Sequence, residues 1–146
     1  MNLAQILHTR WAAAAGLNEL LPVGKVMTGA YFAAHPGTRY GTITLPGSRT
    51  TGFLNDQSSL EVVTVRIRIH HDDYDLGQAI VAALLATFDR SDFALAGGSR
   101  VVCMQRGGLP QEMQDPRTGQ WDWITDFQCR VHCAAEDFTT NPNGAP

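Results

Sequence analysis

The chain has few cysteines and no cysteine motif. Three of its 146 residues are cysteine, Cys103, Cys129 and Cys133, and no two of them form a Cys-x-x-Cys pair. An odd number of scattered thiols argues against both a disulfide framework and a standard zinc site. We therefore expect reduced thiols, as is typical of a cytoplasmic protein.

Charge is also sparse, and basic charge is not in excess. Charged residues make up 17% of the chain, with 11 basic against 14 acidic side chains and a formal net charge of -3. A protein that recognises a DNA sequence usually carries a basic surface. The composition therefore argues against sequence-specific DNA recognition and favours an ordinary globular domain with a lightly charged surface.

Long apolar runs and nucleotide or hydrolase motifs are absent as well. No stretch reaches the roughly 18 to 20 apolar residues that cross a bilayer, and His8, Thr9 and Arg10 interrupt the N-terminal segment that a signal peptide would need. The sequence contains no GxxxxGK[ST], GxGxxG or GxSxG. We predict a soluble protein without a membrane partner.

Hydrophobic periodicity predicts an α+β domain. Helices are predicted at about residues 3–20 and from Asp73 or Asp75 to Phe88, and strands at 38–46, 60–70, 100–106 and 121–133. The polar stretch 46–59 is predicted to be a long loop. We expect one two-layer domain over 1–134, with a mostly antiparallel sheet and two helices on one face, followed by a flexible tail at 135–146.

The strands leave one sheet face polar and open. On the strand 60–70, the apolar residues Val63, Val65, Ile67 and Ile69 alternate with polar ones. The predicted open face carries Arg66, Arg68, His70, Asp122, Asp126, Arg130 and His132. This face suits either water or a neighbouring subunit.

The segment HHDDYD at 70–75 has the composition of a metal site. Neighbouring residues on a strand point to opposite faces, so His70 and His71 are poorly placed to chelate together. Asp72, Asp73 and Asp75 are better explained as a helix-cap joint, because a carboxylate before a helix accepts hydrogen bonds from its free N–H groups. A pairing of Cys129 or Cys133 with His132 is opposed by the same alternation.

The order of these segments resembles the tail terminator family, also called tail completion or head-to-tail joining proteins, of long-tailed bacteriophages and prophages. The similar segments are VRIRIHHDDYD leading into LGQAI, FDR at the helix end, RVVCM, the WDW that opens the last strand, and TGAYFAAHPGTRYGTITLPGS at 28–48. The resemblance covers about residues 3 to 133. The resemblance depends on the order in which these segments follow one another along the chain. Each segment alone is weakly specific, because it marks a connection between a strand and a helix and not a catalytic motif.

The resemblance implies a structural virion protein and not an enzyme, with no catalytic, cofactor or metal residues. Such a subunit forms a hexameric ring at the head-proximal end of the tail, ends polymerisation of the tail tube and offers a docking surface to the head connector. Its partners would be copies of itself, the tail tube protein, connector proteins and DNA that passes non-specifically through the lumen. It would assemble in the bacterial host cytoplasm and reside in the virion tail or neck. Candidate contacts with a neighbour or the lumen are Arg49, Asn55, Arg66, Arg68 and Arg130.

Three alternatives stay open at this point. The chain could be another small head-completion, connector or minor tail ring protein. It could be a metal-dependent enzyme that uses His70 or His71 with Asp72, Asp73 and His132. It could also be a DNA binder, whose affinity would fall steeply with salt. The residues for such DNA binding would be Arg66, Arg68 and Arg130.

Overall fold

The computed structural model describes residues 2–28 and 37–135, and the predicted α+β class is confirmed. The described part contains three α-helices and seven strands. In chain order they are α1 (Leu3–Ala13), α2 (Ala15–Leu20), β1 (Val26–Thr28), β2 (Tyr40–Phe53), β3 (Ser59–His71), α3 (Tyr74–Phe88), β4 (Ser91–Ala94), β5 (Arg100–Arg106), β6 (Gln111–Gln114) and β7 (Trp121–Cys133). The predicted tail begins at residue 135, and residues 136–146 lie outside the described part.

The strands form one mixed sheet in the order β1-β2-β3-β7-β5-β4, and β6 also pairs with β7. The β1–β2 pair is parallel, whereas the other recorded pairs are antiparallel. The long strands β3 and β7 pair without interruption from Ser59 opposite Cys133 to His71 opposite Trp121. This continuous ladder fixes which side chains meet on each face of the sheet.

The core lies between the helices and the odd-numbered residues of β3 and β7. Trp11 of α1, Phe88 of α3 and Phe127 of β7 are fully buried. The ring centroid of Phe88 lies 6.3 Å from that of Trp11 and 6.5 Å from that of Phe127. Trp11 also donates its indole N–H to the carbonyl of Leu21 at 2.9 Å, so its one polar group is satisfied in the core.

The prediction of a single helix over 3–20 is wrong. The helix breaks at Ala14, which adopts an extended conformation (φ -83°, ψ 93°) between α1 and α2. Trp11, before the break in α1, and Leu17, after the break in α2, are both buried in the core. Tertiary burial therefore overrides the strong helix propensity of the AAAA segment. On α3, Leu76 is 41% exposed and lies outside the buried stripe of Gly77, Ile80, Val81, Leu84 and Phe88.

The prediction of a loop over 46–59 is also wrong. Strand β2 continues to Phe53 and pairs with β3, with register shifts between Thr44 and Gly47 and between Thr50 and Gly52. Residues 45–51 are exposed, so no hydrophobic alternation reveals the strand. Pro46 falls within the first irregularity, where a ladder N–H is not required. The actual turn is the short segment 54–58.

Gly77 sets the distance between α3 and β7. A Cβ atom added at this position would lie 2.2 Å from the Cζ3 and Cη2 atoms of Trp123. Trp123 is 2% exposed, and its indole N–H donates to Glu112 of β6 at 3.0 Å. The helix therefore rests directly on an indole ring that is itself held by a hydrogen bond.

Candidate assembly surface

The outer face of the sheet, formed by side chains directed away from the core, is continuous across β2, β3 and β7. On β3 it carries the even-numbered residues, and the register places Leu60 opposite His132 at one end and His70 opposite Asp122 at the other. Arg66 and Arg68 are exposed, whereas the intervening Ile67 is fully buried. The face therefore contains all the residues that the sequence predicted for it.

At one end of this face the charged side chains are paired with each other. Arg66 donates to both carboxylate oxygens of Asp126 at 2.9 and 3.0 Å, and Arg68 donates to Asp122 at 2.9 Å. These hydrogen bonds raise the pKa of both guanidinium groups. Burial raises the pKa of Asp122, but the hydrogen bonds from Arg68 and His70 outweigh it, so that pKa lies below its ordinary value. The two arginines thus have carboxylate partners within their own chain.

His70 belongs to the same cluster. Its Nδ1 lies 2.9 Å from Asp122 Oδ1, and its Nε2 lies 2.7 Å from Gln120 Oε1. The imidazole also stacks on Tyr40 of β2, with the ring centroids 4.8 Å apart. Both ring nitrogens are therefore engaged within the protein.

The other end of the outer face is an apolar groove between two arginines. Arg49 of β2 lies beside Val62 of β3, and Val62 lies beside Arg130 of β7. Thr51, Leu60, Glu61, Val102 and Val131 complete the lining of a groove of about 450 Å³. Ion pairs and imidazole–carboxylate contacts on this face of the described chain involve Arg66, Arg68 and His70, and neither Arg49 nor Arg130 forms one. We call this feature, which has Arg49 on one side, Arg130 on the other and Val62 between them, the arginine groove.

The turn between β2 and β3, residues 54–58, is tied to the end of β7. Asp56 accepts hydrogen bonds from the backbone N–H of Ser58 at 3.0 Å and from its hydroxyl at 2.5 Å, and these lower the pKa of Asp56. Since the hydroxyl donates to Asp56, it accepts from His132 Nε2, which lies 3.0 Å away. The hydroxyl stands between carboxylate and imidazole, unlike a hydrolase triad in which the histidine stands in the middle. The arrangement positions the turn.

The same turn exposes apolar side chains. Phe53 is 78% exposed and Leu54 is 45% exposed, and Asn55, one of the predicted contact residues, stands next to them in the turn. Large apolar side chains grouped on a protruding hairpin are typical of a surface that another protein covers. This hairpin and the arginine groove lie at the same end of the sheet.

The two histidines of HHDDYD lie on opposite faces of β3. His71 is buried, and its Nδ1 accepts the backbone N–H of Asp73 at 2.9 Å. Burial is the main cause that lowers the pKa of His71, and the positive charge of Arg39 acts in the same direction. His70 instead lies on the outer face, so the two imidazoles do not converge. Among the residues described, no three His, Cys, Asp or Glu side chains are grouped as a metal ion would require.

The aspartates of this segment have separate partners. Asp73 occupies the N-cap of α3 and accepts the N–H of Leu76 at 3.0 Å, and Asp75 lies in the first turn. Asp72 accepts a hydrogen bond from Arg39 at 2.8 Å, which lowers the pKa of Asp72. The geometry is that of a joint between a strand and a helix.

None of the three cysteines, all of which lie in the described part of the chain, forms a disulfide. Cys129 and Cys133 are buried on the core face of β7, opposite in direction to His132, and Cys103 is half-buried. Burial raises the pKa of Cys129 to about 12. A thiol in this environment stays protonated and is a poor nucleophile.

Sequence reasoning missed the apolar part of the outer face. The segment LEVVTVRIRIH contains the signal, because its even positions change from apolar at Leu60 and Val62 to polar from Thr64 onwards. We had identified only the polar end. Val102 of β5, which is 54% exposed, joins this patch through the register shift between Val101 and Cys103, which the sequence does not reveal.

Comparison with known proteins gives a shared fold. No protein-family model matches the sequence, and no curated protein matches it. The chain is similar in structure to a chain of the virion of a native gene transfer agent particle, with a TM-score of 0.69 and 16% sequence identity. The match covers 89% of this chain and 94% of that chain. At this identity the likeness concerns the fold. Within the described residues, no helix is both long enough and apolar enough to span a membrane.

Proposed function

We propose that this protein is a non-catalytic structural subunit of a phage-like virion, and that it acts as a tail terminator. The observation that carries the proposal is the structural likeness to a gene transfer agent virion chain over nearly the full length of both chains. The order of segments that resembles tail terminators supports the finer assignment.

In the proposed role, six copies form a ring at the head-proximal end of the tail. A closed ring uses a heterologous interface, so each subunit needs two different surfaces. In the proposed two-layer arrangement, the helices cover one face of a mostly antiparallel sheet. The outer face of the sheet and the β2–β3 hairpin are then available to neighbouring subunits. The ring would end growth of the tail tube, dock the head connector and let DNA pass without sequence recognition. It would assemble in the cytoplasm of a bacterial host.

The alternatives from other classes have less support. A metal-dependent enzyme needs converging ligands, but His70 and His71 lie on opposite faces of β3 and are engaged by other partners. A DNA binder needs several free cations, but two of its three candidate arginines, Arg66 and Arg68, are paired with carboxylates of the same chain, which leaves only Arg130 of the three unpaired within the described residues.

The proposal is tested by the native mass of the protein, measured by light scattering after size exclusion over a wide concentration range. We expect a ring of about six copies, either in concentrated solution or after addition of tail tubes. The same sample is analysed for metal content. A chain that stays monomeric at every concentration and does not bind tail tubes would refute the proposal.

A further inference from the structure

The arginine groove has the chemistry of a binding site for an acidic, partly apolar segment. Its two arginines stand on strands either side of Val62, so their Cα atoms are roughly 10 Å apart, twice the spacing of neighbouring strands. A single extended segment fits between them. Glu61 also lines the groove, and its carboxylate accepts hydrogen bonds from the hydroxyls of Thr50 and Ser59. The guanidinium groups of Arg49 and Arg130 have no carboxylate partner in the described part of the chain.

The C-terminal sequence has the complementary composition. After Ala135 the chain continues as EDFTTNPNGAP, in which the adjacent carboxylates Glu136 and Asp137 are followed by Phe138. The two carboxylates match the two arginines of the groove in number and are opposite to them in charge. The aromatic ring would add apolar contact with the groove floor. These 11 residues reach at most about 36–40 Å when extended.

The position of the chain end favours a neighbouring groove over its own. Strand β7 ends at Cys133, three residues after Arg130, and the N–H of Ala134 donates to Ser99 Oγ at 2.9 Å. A return to its own groove would require a reversal within Ala134 and Ala135 while Ala134 is held by Ser99. A segment arriving from another copy needs no reversal.

We propose that the arginine groove of one subunit receives residues 136–146 of a second copy, with Glu136 and Asp137 bound by Arg49 and Arg130. This inference rests on the proposed ring, and it supplies the two different surfaces that such a ring needs. One surface is the arginine groove, and the other is the C-terminal segment.

Charge reversal tests this docking in the full-length chain. The groove variant carries Arg49→Glu and Arg130→Glu, and the segment variant carries Glu136→Arg and Asp137→Arg. Removing interfacial charge pairs should raise the apparent Kd of self-association by on the order of a hundredfold in each variant alone. Mixing the two variants in equal amounts should restore the ring, because each segment then meets a groove of opposite charge. Docking within one chain cannot produce this rescue.

The matched control is Arg90→Glu with Arg117→Glu, which makes the same change in net charge on exposed arginines outside the groove. It should associate like the wild type. Circular dichroism melting checks that each variant is folded. If the groove variant melts early, Arg49→Gln with Arg130→Gln replaces it, and a rise in Kd of at least about tenfold is then expected.

Two results overturn the inference while leaving the proposed function intact. In one, both charge-reversed variants form rings as readily as the wild type. In the other, both lose the ring but the mixture does not regain it. A wild type that never associates, alone or on tail tubes, would instead refute the proposed function, and the docking inference would fail with it.

Discussion

Gly77 is the residue at which the packing of helix on sheet is most sensitive to a single atom. A Cβ at this position overlaps the six-membered ring of Trp123, which is buried and bonded through its indole N–H to Glu112. The ring therefore has little freedom to move aside. The close approach of α3 to β7 depends on the missing side chain, although glycine is a poor helix former in general.

We expect Gly77→Ala to lower the free energy of unfolding by about 2–3 kcal/mol, because overpacking a closed contact outweighs the gain in helix propensity. The measurement is urea denaturation followed by circular dichroism. Gly16→Ala is the matched control, since Gly16 is exposed in α2 and an added Cβ would meet nothing within 4 Å. That change should instead stabilise the protein by about 0.5–1 kcal/mol. Equal stability of Gly77→Ala and the wild type would contradict the packing described here.

At the scale of elements, His71 couples the end of β3 to the start of α3. Its Nδ1 accepts the N–H of Asp73, and the Asp73 carboxylate in turn caps the helix through Leu76. An imidazolium has no free acceptor at Nδ1, so protonation of His71 would set a donor against a donor. The joint therefore requires the neutral imidazole, in agreement with the lowered pKa of His71.

This coupling predicts a pH dependence of stability. Because the pKa of His71 is lower in the folded state, the unfolded chain takes up the proton first as the pH falls. The contribution of His71 is complete above its ordinary pKa of about 6.5 and is lost as the pH falls below that value. Denaturation between pH 7.5 and 5.5 should thus show a loss of stability that is smaller in His71→Asn, whose amide oxygen can accept the same N–H.

Asp72→Asn serves as the control for this experiment. The pKa of Asp72 is lowered by Arg39, so its carboxylate does not titrate in the same pH range. Because the Asp72 carboxylate, 3.4 Å from His71 Nδ1, raises the pKa of His71, this variant should keep the loss of stability on acidification and deepen it. Parallel pH profiles of wild type and His71→Asn would show that His71 does not link the two elements through its neutral form.

The elements that could be predicted from sequence are those with one buried and one exposed face. Strand β3 alternates from Val63 onwards and β7 from Trp123 onwards, and α3 presents a regular apolar stripe ending at Phe88. The distal half of β2 could not be predicted, because its ladder with β3 is made by the backbone while its side chains face solvent. The break at Ala14 and the short strands β4 and β6 depend on tertiary contacts and not on local pattern.

The candidate surface was predictable to a similar extent. Alternation indicated the outer face, and Arg66 and Arg130 were assigned to it from sequence. The pairing of Arg66 with Asp126 across the β3–β7 ladder depends on register, which only the assembled sheet defines. For the same reason, the sequence could not show that Arg66 and Arg68 have carboxylate partners whereas Arg49 and Arg130 in the groove do not.

At the scale of the whole molecule, the proposed function requires a subunit that is stable alone and joins others through defined surfaces. The buried core accounts for the first requirement, and the exposed hairpin residues Phe53 and Leu54 together with the arginine groove are candidates for the second. The paired charges at the opposite end of the outer face leave few free cations there to hold DNA as it passes.

The most direct test of the central claim is electron microscopy of tail tubes that polymerise from their purified tube protein in the presence and absence of this protein. We predict a ring at one end of each tube and an arrest of growth at that end, so that tubes become shorter as the protein is added earlier. Tubes that grow to the same lengths with bare ends would contradict the proposed role.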